Sequence, residues 1–140
     1  PELKEIGDGF LSFNIRLTEI DLPKVETIGE CFMDSIRYME KISAPLLRKV
    51  GGYFLNENLG LTEISFPNLE SVGTDFISRN RKIFQINLPK LKKVGDVFIA
   101  TGGMIGGICF LFCPNTSLTI YPSFHYILRI SVIITIIERR

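Results

Sequence analysis

The sequence predicts a repeat solenoid, mainly β and built of short strands and turns, and three observations carry that prediction. The phrase INLPKLKKVGDVF at 86–98 returns as IDLPKVETIGECF at 20–32, ISAPLLRKVGGYF at 42–54 and ISFPNLESVGTDF at 64–76, always 22 residues apart. The returning positions are mostly apolar residues, proline and glycine, types that specify packing and turns rather than chemistry. A 22-residue unit cannot bury its own apolar face, so units must stack, like columns packing on like columns in a continuous core.

The units run 1–16, 17–38, 39–60, 61–82 and 83–104, and each phrase is counted from its proline: Pro1, Pro23, Pro45, Pro67 and Pro89. Six before it lie Leu17, Met39, Leu61 and Ile83; three before, Ile20, Ile42, Ile64 and Ile86; one before, Leu22, Ala44, Phe66 and Leu88. This LxxIxL segment reads as a short strand. Proline has no backbone donor and a fixed φ, so it ends the strand at a corner where no ladder bond is needed. Beyond it stand Leu3, Val25, Leu47, Leu69 and Leu91 at plus two, then Ile6, Ile28, Val50, Val72 and Val94 at plus five.

Glycine follows at plus six, as Gly7, Gly29, Gly51, Gly73 and Gly95, and marks a second corner with either a positive φ or a close approach of neighbouring coils. Phe10, Phe32, Phe54, Phe76 and Phe98 close the phrase at plus nine. In register they form an aromatic spine, which at roughly 25 cal/mol per Å² of apolar area is a major share of the stability. At plus thirteen stand Asn14, Ile36, Asn58, Asn80 and Gly102. Two readings fit the asparagines: a ladder bonding the backbone of adjacent coils, or a residue that merely tolerates a local turn.

The stretch LTEISFPNLESVGTDFISRN at 61–80 resembles the leucine-rich repeats of the BspA type, whose LxxIxxPxxxxxIGxxxF units occur in surface proteins of bacteria and some protozoa. The likeness covers about residues 1–104 and rests on repetition rather than on any single unit. This chain departs from the pattern in a unit one residue shorter, a narrower proline-to-phenylalanine interval and asparagine where cysteine is frequent. The resemblance implies a leucine-rich-repeat-like right-handed coil, a binding or adhesion array, and a cell-surface or secreted address. It carries over no catalytic motif.

The outward positions of the LxxIxL strand are the candidate partner-binding residues. They are Asp21, Ser43, Ser65 and Asn87 at minus two, Glu19, Lys41, Glu63 and Gln85 at minus four, and Phe84 at minus five. The face is mixed and small-polar with one aromatic. Charge alternates down two columns, Glu19–Lys41–Glu63 and Lys4–Glu26–Arg48–Glu70–Lys92, where opposite signs on successive coils support the stacking register.

Whole-chain charge is close to balance, with 16 basic and 15 acidic residues, so composition points to no polyanion, membrane surface or acidic substrate. The balance is uneven along the chain: residues 1–40 hold nine acidic against four basic side chains, and 79–93 hold six basic and no acidic ones. Arg79, Arg81, Lys82, Lys90, Lys92 and Lys93 read either as a site for a phosphate-rich or sulfated polymer or as a solvated edge facing acidic residues of the preceding coil, such as Glu70. Little aromatic interleaving argues against nucleic acid. Three cysteines, Cys31, Cys109 and Cys113, and the lone His125 fit no zinc spacing, disulfide framework or catalytic motif. GDGF at 7–10 lacks the acidic run of a calcium loop.

PELKEIGDGF enters the phrase at its proline, so the first unit is expected to be cut inside a repeat. At the other end, Ile105, Ile108 and Phe110 still match the strand columns, but Leu111 stands where proline is due and Ser117 where glycine is due. Residues 105–140 are thus a degenerate hydrophobic tail. Three readings compete for it: a cap over the open end built on RISVIITII at 129–137, a membrane span over 118–137, or a shifted reading frame. The expected function is a noncatalytic protein-binding or adhesion module using the strand-lined face. It needs no cofactor, metal or small-molecule substrate, and meets a membrane only through the tail. The alternative is a structural spacer or scaffold within a larger surface protein, with no ligand of its own.

Overall fold

The computed structural model describes residues 2–83, 85–95 and the backbone of 110–112. Isoleucine and valine, which favour the extended backbone, sit at the centre or end of nearly every strand in it. Around the isoleucine three before each proline run β2 (Glu19–Asp21), β4 (Lys41–Ser43), β6 (Glu63–Ser65) and β8 (Gln85–Asn87). A second set, which the LxxIxL reading does not anticipate, ends on the plus-five residue: β1 (Glu5–Ile6), β3 (Thr27–Ile28), β5 (Lys49–Val50), β7 (Ser71–Val72) and β9 (Lys93–Val94).

All pairing is parallel and one unit apart within the repeats, with Ile6 beside Ile28, Ile28 beside Val50, Val50 beside Val72 and Val72 beside Val94. The chain is therefore a β-solenoid with 22-residue coils. Odd-numbered strands make one continuous five-stranded wall, whereas the LxxIxL wall is divided into β2–β4 and β6–β8, the latter extended by β10 (Phe110–Phe112). The division falls between Ala44 and Phe66, where the minus-one column steps from alanine to phenylalanine and Phe66 meets Phe54 edge-on at 5.8 Å.

The third side carries the phenylalanines and is held without strands. Cys31, Met33 and Ser35, Tyr53, Leu55 and Glu57, and Asp75, Ile77 and Arg79 all have positive φ, alternating along each coil. An L residue adopts that conformation only against a steric cost, and here Cys31, Met33, Ser35, Tyr53, Leu55, Glu57 and Ile77 each send their N–H to a neighbouring coil. Tyr53 N–H donates to the Thr74 carbonyl and Glu57 N–H to that of Ser78, one coil on, while Leu55 N–H donates back to the Phe32 carbonyl. The peptides thus bond alternately forward and backward. Inside this arc Phe10, Phe32, Phe54 and Phe76 stack with centroids 6.1, 5.4 and 5.5 Å apart, the expected spine.

The glycine corner is a close approach, not a positive φ. A Cβ on Gly51 would lie 2.7 Å from the Glu30 nitrogen, and one on Gly95 2.5 Å from the Gly73 carbonyl carbon, so the coils touch there backbone to backbone. Only Gly9, at plus eight, has positive φ among the described glycines.

The tail needs one correction. β10 joins the LxxIxL wall with Leu111, not Ile108, beside Ile86, an offset of 25 rather than 22 residues. Leu111 therefore takes the isoleucine column, and Pro114 follows it at the interval that separates Pro89 from Ile86. Three extra residues enter this last coil. Phe98, Gly102, Ile105, Ile108, Cys109, Cys113 and His125, with the cap and membrane-span readings, lie outside the described residues; no helix among the described ones is long and apolar enough to cross a membrane.

Candidate functional site

Strand alternation turns Ile20, Ile42, Ile64 and Ile86 toward the core and the residues on either side outward. Parallel register then sets Glu19 beside Lys41 and Asp21 beside Ser43, with Glu63 beside Gln85 and Ser65 beside Asn87. Eight of the nine candidate residues thus share one face; Phe84 lies outside the described residues. Ser43 and Asn87 are half-buried and the other six exposed. A shallow hollow of about 450 Å³ opens over β2 and β4, lined by Glu19, Ile20, Asp21, Lys41 and Ser43. On the other half of the face, Asn87 donates its amide to Ser65 Oγ at 3.2 Å.

No ion pair closes on this face among the described residues, and Glu19, Lys41 and Glu63 alternate in sign without pairing. The other alternating column behaves differently. Glu70 takes Lys92 at 2.8 Å and Arg48 at 3.0 Å, tying three coils together on the proline side. Hydrogen bonds from Lys92 and then Arg48 hold the Glu70 carboxyl below its ordinary range. The basic run of 79–93 also finds partners one coil back. Arg79 pairs with Glu57, which raises its guanidinium further, Lys92 pairs with Glu70, and Lys90 donates to Asn68 at 2.7 Å. The solvated-edge reading accounts for those three; Arg81, Lys82 and Lys93 close no ion pair among the described residues.

Both readings of the asparagine column hold, at different rungs. Asn58 accepts from the Gly60 and Leu61 N–H groups, and Asn14 from that of Arg16, which are local turns. Asn80 instead donates at 2.8 Å to the Leu55 carbonyl of the preceding coil and to its own Ile77 carbonyl. Cys31 is a free thiol, pushed up by partial burial and then by the carboxylates of Asp34, Glu30 and Asp8, so its nucleophilic form is disfavoured. No group of three histidine, cysteine or carboxylate side chains suited to a metal occurs among the described residues.

The reading by columns overlooks a second surface, the corner that leads from the phenylalanine arc into the LxxIxL strand. There Phe13, Ile15, Tyr38 and Leu59 are exposed, Phe13 at 72% and Tyr38 at 60%, beside Arg16, Arg37, Arg81 and Lys82. The signal lay in the columns at plus fourteen (Ile15, Arg37, Leu59, Arg81) and plus fifteen (Arg16, Tyr38, Gly60, Lys82), which keep no fixed type from coil to coil. The chain matches no family model, no curated protein and no solved structure in comparison with each.

Proposed function

We propose that this chain is a noncatalytic protein-binding module that meets its partner along the strand-lined face. The observation that supports the reading is the division of labour between columns: Glu19, Asp21, Lys41 and Glu63 are held in register and exposed, yet their charges close no ion pair between the described coils. Extended concave or flat walls of this kind are how solenoids present a partner-reading surface. The resemblance of residues 1–104 to the BspA-type repeats favours an adhesion role at a cell surface.

The test replaces Glu63, Ser65, Gln85 and Asn87 by alanine together and uses the purified chain as bait in a pull-down. Loss of a partner captured by the unaltered chain, with an unchanged thermal melt, supports the reading. Undiminished capture moves the site off this face. A structural spacer is the second reading, favoured by the lack of an apolar anchor among the described residues of the face. It predicts no saturable partner for either protein.

A further inference from the structure

From the exposed corner beside that face we infer an anchoring groove for an extended acidic peptide carrying apolar side chains; the inference rests on the protein-binding reading. Two hollows adjoin there and share Arg37 and Tyr38. One, of about 330 Å³, is lined by Phe13, Ile15, Ser35 and Glu57 as well; the other, of about 660 Å³, is completed by Glu40, Leu59, Gly60, Thr62 and Lys82. The second hollow has a specific origin in the repeat. Arg16, Tyr38, Gly60 and Lys82 occupy one column on successive coils, and Gly60 leaves its rung without a side chain. Strand rungs are roughly 4.8 Å apart, so a slot two rungs wide, roughly 9–10 Å, separates the Tyr38 and Lys82 columns of side chain. That is room for one inserted side chain with the Gly60 backbone as floor. A Cβ on Gly60 would itself press on the Met39 carbonyl, so the gap is built into the coil contact.

The lining sets the chemistry of the occupant. Tyr38, Leu59, Phe13 and Ile15 supply the apolar area that the strand face lacks, and a centrally placed aromatic is the usual anchor of a protein contact. Glu57 is neutralised by Arg79, which leaves Arg37 and Lys82 against Glu40 in the lining, with the exposed Arg16 and Arg81 on flanking rungs of the same two columns. A segment that fills the slot with an aromatic or branched aliphatic side chain and flanks it with carboxylates satisfies both properties. A nucleic-acid strand has only Phe13 and Tyr38 to stack on, whereas the aliphatic Ile15 and Leu59 match apolar side chains rather than bases.

The probe is a fluorescein-labelled decapeptide alternating glutamate with leucine around one central tyrosine, followed by anisotropy against the full chain. Saturable binding is expected, weakened at least tenfold by Tyr38→Ala, by Lys82→Glu and by Thr62→Trp, which fills the slot; all three positions are exposed, so folding is preserved. Replacing the peptide's glutamates by glutamine, or its apolar residues by glycine, is expected to abolish binding. No saturable binding of the peptide overturns the groove, and the pull-down on the strand face then decides the wider reading by itself. Binding lost only on replacing Glu63, Ser65, Gln85 and Asn87 likewise overturns the groove while the protein-binding reading stands. A labelled ten-nucleotide single strand that binds more tightly than the peptide, and is released by the same three variants, overturns the peptide assignment.

Discussion

The two halves of a coil treat their outward residues differently. From Pro45 to Phe54 nearly everything serves stacking: Val50 is buried, Gly51 lets the backbone of the preceding coil within contact, Phe54 lies between two rings, and outward-facing Arg48 is tied to Glu70. From Asn58 to Ser65 the inward Leu61 and Ile64 still stack, but Leu59, Thr62, Glu63 and Ser65 are exposed and close no ion pair. A solenoid needs only part of its circumference to specify the next coil. The rest is free to vary, and a partner surface can be written there at little cost to the fold.

The largest effect belongs to the stacking half. Phe54→Ala removes a fully buried ring that touches Phe32, Phe76 and the edge of Phe66, and is expected to cost about 3–5 kcal/mol in urea denaturation. Phe10→Ala is expected to cost clearly less, since Phe10 is 43% exposed and meets one ring, at 6.1 Å. Equal losses would break the idea of a one-dimensional stack with a graded column.

Next comes the glycine corner. Gly51→Ala drives a methyl group into backbone that cannot rotate away, so coil spacing must yield, at about 1–3 kcal/mol. Gly7→Ala meets nothing within 4 Å and has no positive φ to strain it, so it is expected to be neutral or to stabilise by up to about 1 kcal/mol. The same substitution with opposite signs, read from two melts, separates the close-approach explanation from a conformational one.

These contrasts also show what was legible in the sequence. The period, the spine and the outward strand face follow from apolar and glycine columns, because stacking forces like residues into like places. The positive-φ arc was not legible: Met33, Leu55 and Ile77 are types that shun that conformation in isolation, and hydrogen bonds from two neighbouring coils impose it. Nor was the position of β10, since three added residues erase the 22-residue count that located every earlier strand. The anchoring corner escaped for a related reason. Its distinguishing feature is Gly60, a missing side chain in a column that shows no fixed type.

Smaller effects test the charged columns. Glu70→Gln is expected to lower the denaturation midpoint slightly at neutral pH. The folded carboxyl titrates below its unfolded value, so its contribution is fully present above the ordinary carboxylate range and is lost as pH falls through the folded pKa. The two midpoints should therefore converge in acid, and a gap that persists there would show that packing, not charge, was lost.

The smallest effect is the most informative about the free half. Lys41→Glu and Arg48→Glu make the same change of charge on neighbouring segments of one coil. Arg48→Glu breaks a hydrogen-bonded pair and sets a carboxylate against Glu70 while Lys92 is its remaining partner, so the midpoint should fall and should partly recover in salt. Lys41→Glu sets three carboxylates in line with Glu19 and Glu63, yet none of them is held in a pair to begin with. At physiological ionic strength its cost should stay within about 0.5 kcal/mol, the range of an ordinary surface substitution. A loss at Lys41 as large as that at Arg48 would mean that the strand face carries register after all. Its charges would then be structural, and the protein-binding surface would have to lie on the corner alone.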